Sequence, residues 1–217
     1  MGVKLGQKWA VKDGNLLASN QVGSRFFNKE FDFSRASNGT YIDRDGLLKT
    51  AELYNKLSYS NQFDTTWANS NTTENGGQAD KDGGTDAWLL TKTAANGNIS
   101  QSVTSTGVQT FSIYAKANTT DWVFLNFSGI ASSGAYFDLA NGVTETIQGN
   151  VINAEIKSST NGYYRISITA SGTASIAVIY VADANNTISG TSGSIYIQDA
   201  QLVEGTEPFI SAFITFP

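Results

Sequence analysis

The chain has 217 residues, with 21 Gly, 2 Pro and a formal net charge of −5; 40% of the residues are hydrophobic and 15% are charged. That size suits one large all-β domain or two small ones, and the apolar content separates the chain from disordered sequences. Cysteine and histidine are both absent, which excludes disulfides, thiolate and imidazole metal sites, cysteine nucleophiles and histidine acid–base chemistry.

Carboxylates remain, and two of them suffice for glycoside hydrolysis. No apolar run approaches the length of a bilayer span, and Met1 to Lys8 lack the apolar core of a secretory signal. Residues 1–57 hold 9 Lys/Arg against 6 Asp/Glu, whereas residues 58–217 hold 5 against 13. This asymmetry predicts two parts with different partners: an N-terminal attachment segment over 1–57 and a domain over 58–217. Neither part has the clustered cations of a nucleic-acid surface.

In the first part, Arg25-Phe26-Phe27 and Phe31-Asp32-Phe33 place four aromatic residues within eight. Such a density calls for a surface to dock on, in the same chain or in a neighbouring subunit. Thr40-Tyr41-Ile42 and Leu47-Leu48-Lys49 flank Asp43-Arg44-Asp45-Gly46, which reads as a hairpin whose centre is a turn rather than a cation loop. The segment is otherwise irregular, with short β elements.

From residue 58 the pattern changes. Strands are predicted over 98–103, 110–117, 122–127, 135–139, 151–156, 163–169, 174–181 and 194–202. Phe111, Ile113 and Ala115 alternate with Ser112, Tyr114 and Lys116, and Tyr164, Ile166 and Ile168 alternate with Tyr163, Arg165 and Ser167. Asn96-Gly97, Ser133-Gly134, Asn141-Gly142, Asn161-Gly162 and Ser171-Gly172 are turn signals between them. No segment sustains a helical period. Many short antiparallel strands at this spacing predict an all-β, jelly-roll sandwich.

Two acidic features stand out. Asp80, Asp82 and Asp86 fall within seven residues on a Gly-bent loop and offer the hard oxygen donors that Ca²⁺ prefers, although the spacing is not that of an EF-hand. In the last strand, Asp199 is in phase with Ile195 and Ile197. That phase predicts a carboxylate pointing with the apolar side chains, which must then be paired, hydrogen-bonded or metal-bound.

For a ligand the leading rings are Trp67, Trp88, Trp122, Tyr136 and Tyr163. Trp88 precedes Leu89-Leu90 and reads as core, and Trp122 opens a strand beside Asp121. Tyr163 shares the less apolar strand face with Arg165, which makes it the best candidate for an exposed ring. Arg165 is the sole arginine after residue 57; it suits a sugar hydroxyl or carboxylate, and a structural pairing is the favoured reading. The candidate ligand-binding set is therefore Tyr163, Arg165, Trp122 and Trp67. Asp121, Asp138, Glu145 and Glu155 show no spacing that singles out an acid and a nucleophile, so no enzyme is expected. The apolar tail, Phe209 to Pro217, needs a docking surface of its own.

Taken in order, Asn61-Gln62-Phe63-Asp64-Thr65-Thr66-Trp67, Gly84-Thr85-Asp86-Ala87-Trp88-Leu89-Leu90, Thr110 to Ala117, Asn161-Gly162-Tyr163-Tyr164-Arg165-Ile166 and Ile195 to Leu202 resemble a jelly roll of the carbohydrate-binding-module type. The run Phe31 to Leu47 is similar to a segment of bacteriophage virion proteins that precedes such a jelly roll. The resemblance implies a virion structural protein: a head fibre, decoration protein or tail fibre, homotrimeric and held by other virion proteins. It would be made in the host bacterial cytoplasm and would display a domain able to bind host or environmental glycans. A free-standing carbohydrate-binding module is the alternative, and no nucleic-acid or membrane partner is expected. The resemblance also implies a structural Ca²⁺ between the first strand's loop and the last strand. Its ligands would be Asp199, one of Asp82 or Asp86, and a donor near Asn61 to Asp64, with Asp64 the carboxylate there.

Overall fold

A computed structural model describes residues 55–206 in full, together with the backbone of five strands before them. The chain divides into two units, Met1–Ala51 and Glu52–Pro217. In the first, β1 (Trp9–Lys12), β2 (Asn15–Val22) and β3 (Arg25–Asn28) form an antiparallel sheet, and β4 (Gly39–Ile42) pairs with β5 (Leu48–Ala51), Ile42 opposite Leu48. The hairpin read from the runs around residues 40 and 48 is thus present. Its turn, the Phe31–Phe33 run and the tail from 207 lie outside the described residues.

The second unit is built from β6 (Ala68–Ser70), β7 (Thr72–Gln78), β8 (Ala87–Lys92), β9 (Asn98–Ala117), β10 (Trp122–Ser128), β11 (Ala135–Asp138), β12 (Val143–Ile147), β13 (Val151–Ser158), β14 (Tyr164–Ala182) and β15 (Ser194–Glu204), all in one antiparallel sheet. β9 and β14 pair along nearly their whole length. The sequence predicts two strands in each of these stretches, with a turn at Ser171-Gly172. The structure instead carries each strand through a bend, where Gly107 (φ +80°) faces Gly172 (φ +150°). Only glycine adopts such angles without strain, and a Cβ at 172 would lie 3.1 Å from Ile130.

The bend folds the sheet onto itself as a jelly-roll β-sandwich. In the first layer the N-terminal half of β9 and the C-terminal half of β14 join β6, β10, β11 and β12; in the second, the other halves join β13, β15, β8 and β7. The layers meet through Ile99, Leu125, Phe127, Phe137 and Ile179 from one side and Phe111, Ile113, Ile166, Ile168 and Ile197 from the other. The rings of Phe111 and Phe127 are 6.0 Å apart across this core. Each such side chain contributes roughly 1.5–3 kcal/mol by leaving water.

The chain enters the sandwich beside its last described strand. Asn55 Nδ2 donates to the carbonyl of Ala200 (2.9 Å), Asn55 Oδ1 accepts from the amide of Leu202 (2.9 Å), and the Lys56 amide donates to the carbonyl of Leu202 (2.8 Å). Lys56 also pairs with Glu204.

Candidate functional site

The outer face of the second layer is organised by an irregularity in β15. Ile195 and Ile197 point into the core, but so do Ala200 and Leu202, which sit on the opposite phase. The change happens at Asp199, whose φ is +53°, where the register against β9 slips between Gln198 and Gln201. This bulge overturns the expectation that the Asp199 carboxylate points with Ile195 and Ile197, since one extra residue moves every later side chain to the other face. The carboxylate accepts from Gln198 Nε2 (3.0 Å). Burial pushes its pKa up, against the Gln198 hydrogen bond and the nearby charges of Lys81 and Arg165.

Arg165 closes the bulge. Its Nη1 donates to the carbonyl of Asp199 (2.8 Å), and its Nη2 donates to Ser112 Oγ (2.5 Å) and Gln201 Oε1 (2.6 Å). The guanidinium lies 4.6 Å from the ring centre of Tyr114, which also has Lys81 Nζ at 4.9 Å. Burial lowers the Arg165 pKa to about 10, with Tyr114 and Asp199 opposing, so the group is cationic at neutral pH.

Tyr163 is not the exposed ring expected of it: it is 1% exposed, and its hydroxyl donates to the carbonyl of Ala79 (2.7 Å). The loop before β8 covers it, held by Asn161 Nδ2 on the carbonyl of Lys81 (2.9 Å) and by the Lys81 amide on Gln198 Oε1 (2.9 Å). Trp67 is also buried, 5.0 Å from Phe63, which meets the half-buried Trp88 at 6.2 Å. Of the four residues put forward for a ligand, Trp122 alone brings a ring to the surface.

Of the carboxylates named for Ca²⁺, Asp82 lies near enough to Asp199 for its charge to raise the Asp199 pKa, but among the described residues no third carboxylate joins them. Asp80 is the buried member of its loop; its oxygens accept the amides of Asp82 (2.7 Å), Gly84 (2.8 Å) and Asp86 (3.1 Å). The Asp86 amide, with those of Gly84 and Asp82 and against burial, holds its pKa below the ordinary value. Asp82, Asp86 and Asp64 are exposed; Asp82 pairs with Lys81, and Asp64 accepts from Thr65 Oγ1 (3.1 Å). Where the three segments converge, the carboxamide of Asn61 stands instead: Nδ2 donates to the carbonyl of Asp86 (3.0 Å) and Oδ1 accepts the amide of Asp199 (3.1 Å). Among the described residues no group of three carboxylates is placed to hold an ion, so these side chains do not fit the Ca²⁺ that the resemblance implies. The melting temperature should therefore be the same in excess Ca²⁺ and in EDTA by scanning fluorimetry; a clear rise with Ca²⁺ would restore the ion.

The outer face of the first layer has a different chemistry. Along β10, Val123, Leu125 and Phe127 turn inward while Trp122, Phe124 and Asn126 turn outward. Register then sets rows across the face: Asp138, Trp122 and Ala182; Tyr136, Phe124, Tyr180 and Asn98; Asn126, Val178, Ser100 and Ala68; Ser128, Ile176 and Ser102. Phe124 stacks on Tyr136 (4.2 Å, 19°) and tilts against Tyr180 (5.5 Å). Gly134 makes room for the Phe124 ring, which any Cβ there would overlap.

A wall of residues 183–190 borders these rings. Asp183 accepts from Lys92 Nζ (2.7 Å) and from the Gly190 amide (2.7 Å), Asn185 Oδ1 accepts the Thr146 amide (3.2 Å), and Ile188 packs on the ring cluster. Asp138 is fully engaged, accepting the amides of Ala140 (2.9 Å) and Asn141 (3.0 Å) and Asn141 Nδ2 (2.7 Å). Burial raises its pKa, and these donors outweigh burial and leave it below the ordinary value. By contrast, Trp122 Nε1, the hydroxyls of Tyr136, Tyr180, Ser100 and Ser102, and the Asn126 carboxamide have no hydrogen-bond partner among the described residues. Around Arg165 and Asp80 in the second layer the polar groups are tied to one another; these groups of the first layer are not.

The sequence reading missed Phe124 and Tyr180. Residues 122–127 are nearly all apolar, so period-2 alternation cannot say which half faces the core. The aromatic weight at 122, 124, 136 and 180 is the signal that was present.

No family model and no curated protein matches the chain. Solved structures similar to it include the enzymatically active domain of tailspike protein 4 of bacteriophage CBA120 (14% identity, TM-score 0.40, covering 69% of this chain and 21% of that one). Another holds the CBM22-1 and GH10 modules of Clostridium thermocellum endo-1,4-beta-D-xylanase 10B complexed with xylohexaose (15% identity, TM-score 0.43, 70% and 29%). A third is TmCBM61 in complex with beta-1,4-galactotriose (13% identity, TM-score 0.35, 70% and 99%). The chain thus spans less than a third of the length of the first two.

Proposed function

We propose that the second unit is a non-catalytic glycan-binding domain and that the ring-bearing face of the first layer is its sugar site. The observation that carries this reading is the coincidence, on one face, of the half-buried Trp122 and Tyr180 rings, backed by the buried Phe124 and Tyr136, with donors and acceptors that have no partner among the described residues. A pyranose has apolar faces and a rim of hydroxyls, so it needs a ring to stack on and polar groups beside it. Glycoside cleavage needs two available carboxyl groups; Asp138, the carboxylate on these rows, has its oxygens occupied, which supports a binding role.

The domain is further proposed to belong to a bacteriophage virion component, a head fibre, decoration protein or tail fibre. It would be homotrimeric and held on the particle by other virion proteins through residues 1–57. The similarity of Phe31 to Leu47 to virion segments supports this part. Light scattering on the full chain separates it from a free-standing module: a trimer supports the fibre, a monomer the module.

For the sugar site, Trp122→Ala and Tyr180→Ala should each weaken binding to the best glycan of an array at least tenfold, about 1.4 kcal/mol, in protein that circular dichroism shows to be folded, with a lower melting temperature from the lost ring packing. Undiminished binding by both variants would sink this assignment.

A further inference from the structure

Beyond the rings, the same face continues into a cleft of about 390 Å³ bordered by Ala68, Ser100, Ser102 and Ile176, with Lys56 and Thr66 at its rim. That volume lies within the ordinary range of small-ligand sites, roughly 300–1,000 Å³. On β14, Tyr180, Val178 and Ile176 share one face at two-residue steps, so rings and cleft are separated by about 13 Å along the strand. One monosaccharide cannot touch both.

The cleft combines an apolar patch, Ile176 and Ala68, with the unpartnered hydroxyls of Ser100 and Ser102. Its border is nearly free of charge. Lys56 at the rim pairs with Glu204, and near the rings Asp138 is occupied by its own turn and Asp183 by Lys92. A uronate or sulfate would have to displace Glu204 from Lys56 to find a cation there, whereas an uncharged sugar would find a surface to cover and hydroxyls to bond.

We infer that the site takes an extended, uncharged oligosaccharide, one unit stacked against the Trp122 and Tyr180 rings and a later unit lying in the cleft over Ile176. This rests on the glycan-binding reading above and adds a second subsite to it.

Titration calorimetry on the full chain tests it, with xylo-, cello- and galacto-oligosaccharides from di- to hexasaccharide and oligogalacturonates as the charged comparison. Affinity should rise at least tenfold from disaccharide to hexasaccharide in one neutral series, and oligogalacturonates should bind more weakly. Ser102→Trp fills the cleft from an exposed strand position that suits an aromatic residue; it should abolish the rise while leaving disaccharide affinity intact. Ala68→Trp fills the same cleft from β6 and serves if the first variant does not fold. A hexasaccharide bound no better than a disaccharide, a rise that survives a folded cleft-filling variant, or tighter binding of the charged series would each overturn the second subsite while leaving the ring site standing. Silence towards every glycan from folded protein would remove the glycan reading and this inference together.

Discussion

Arg165→Ala is expected to destabilise the sandwich by about 3–5 kcal/mol, the usual result of removing one partner from a buried charged network. Among the described residues the guanidinium is the sole donor group that reaches the Asp199 carbonyl, Ser112 Oγ and Gln201 Oε1 together. Without it the bulge keeps its left-handed residue and loses the clamp that offsets the strain, while the Asp199 carboxylate stays buried with Lys81 as its remaining cation. Arg165→Lys should recover only part of the loss, because an ammonium cannot span the same fork or stack on Tyr114 in the same way. Urea denaturation would show a lower midpoint at constant slope; a midpoint equal to wild type would refute the clamp.

The second large effect is at Asp80. Hydrogen bonds to a charged acceptor contribute about 1.5–3 kcal/mol, and this carboxylate gathers three amides of one loop. Asp80→Ala should lose an amount of that order at neutral pH and loosen the cover over Tyr163. The folded pKa lies below the ordinary aspartate value, so the contribution is complete above that value and is lost as pH falls through the folded one. The stability gap between wild type and Asp80→Ala should accordingly be full near neutrality and shrink in acid. A gap that stays constant down to strong acid would mean that the charge is irrelevant.

Much of the fold was legible because it depends on local signals. The alternation at Phe111 to Lys116 and at Tyr163 to Ile168 marks half-buried strands, and the paired runs around residues 40 and 48 mark a hairpin; both are present. The continuity of β9 and β14 was not legible, since Ser171-Gly172 carries the same local signature whether the chain turns back or only bends. Which of the two occurs is decided by Gly107 across the ladder, 65 residues away in the chain by the numbering of the paired positions. β7 and β12 escaped notice because their residues are mixed and alternately exposed, and β8 because its short apolar run, Ala87 to Leu90, carries no alternation to mark a strand.

The candidate site was harder to read. Trp122 was named, but Tyr163 was placed by its phase with Arg165 in a strand that starts only at Tyr164, and Trp67 by residue type; the exposure of both depends on which loop lies over them. Asp199 shows the same limit from another side. Its phase with Ile195 and Ile197 is a valid inference for an unbroken strand, and a single residue in a left-handed conformation cancels it. No local pattern in Ile195 to Leu202 announces that break.

The clasp that joins Asn55 and Lys56 to Ala200 and Leu202 has a mechanical consequence. A tensile load applied between those two points acts first on the few hydrogen bonds joining them, not on the interlayer core. The sandwich then hangs as a pendant to one side of the force line. A domain loaded in this way parts at that one short clasp before its layers do, whatever its outer face has bound.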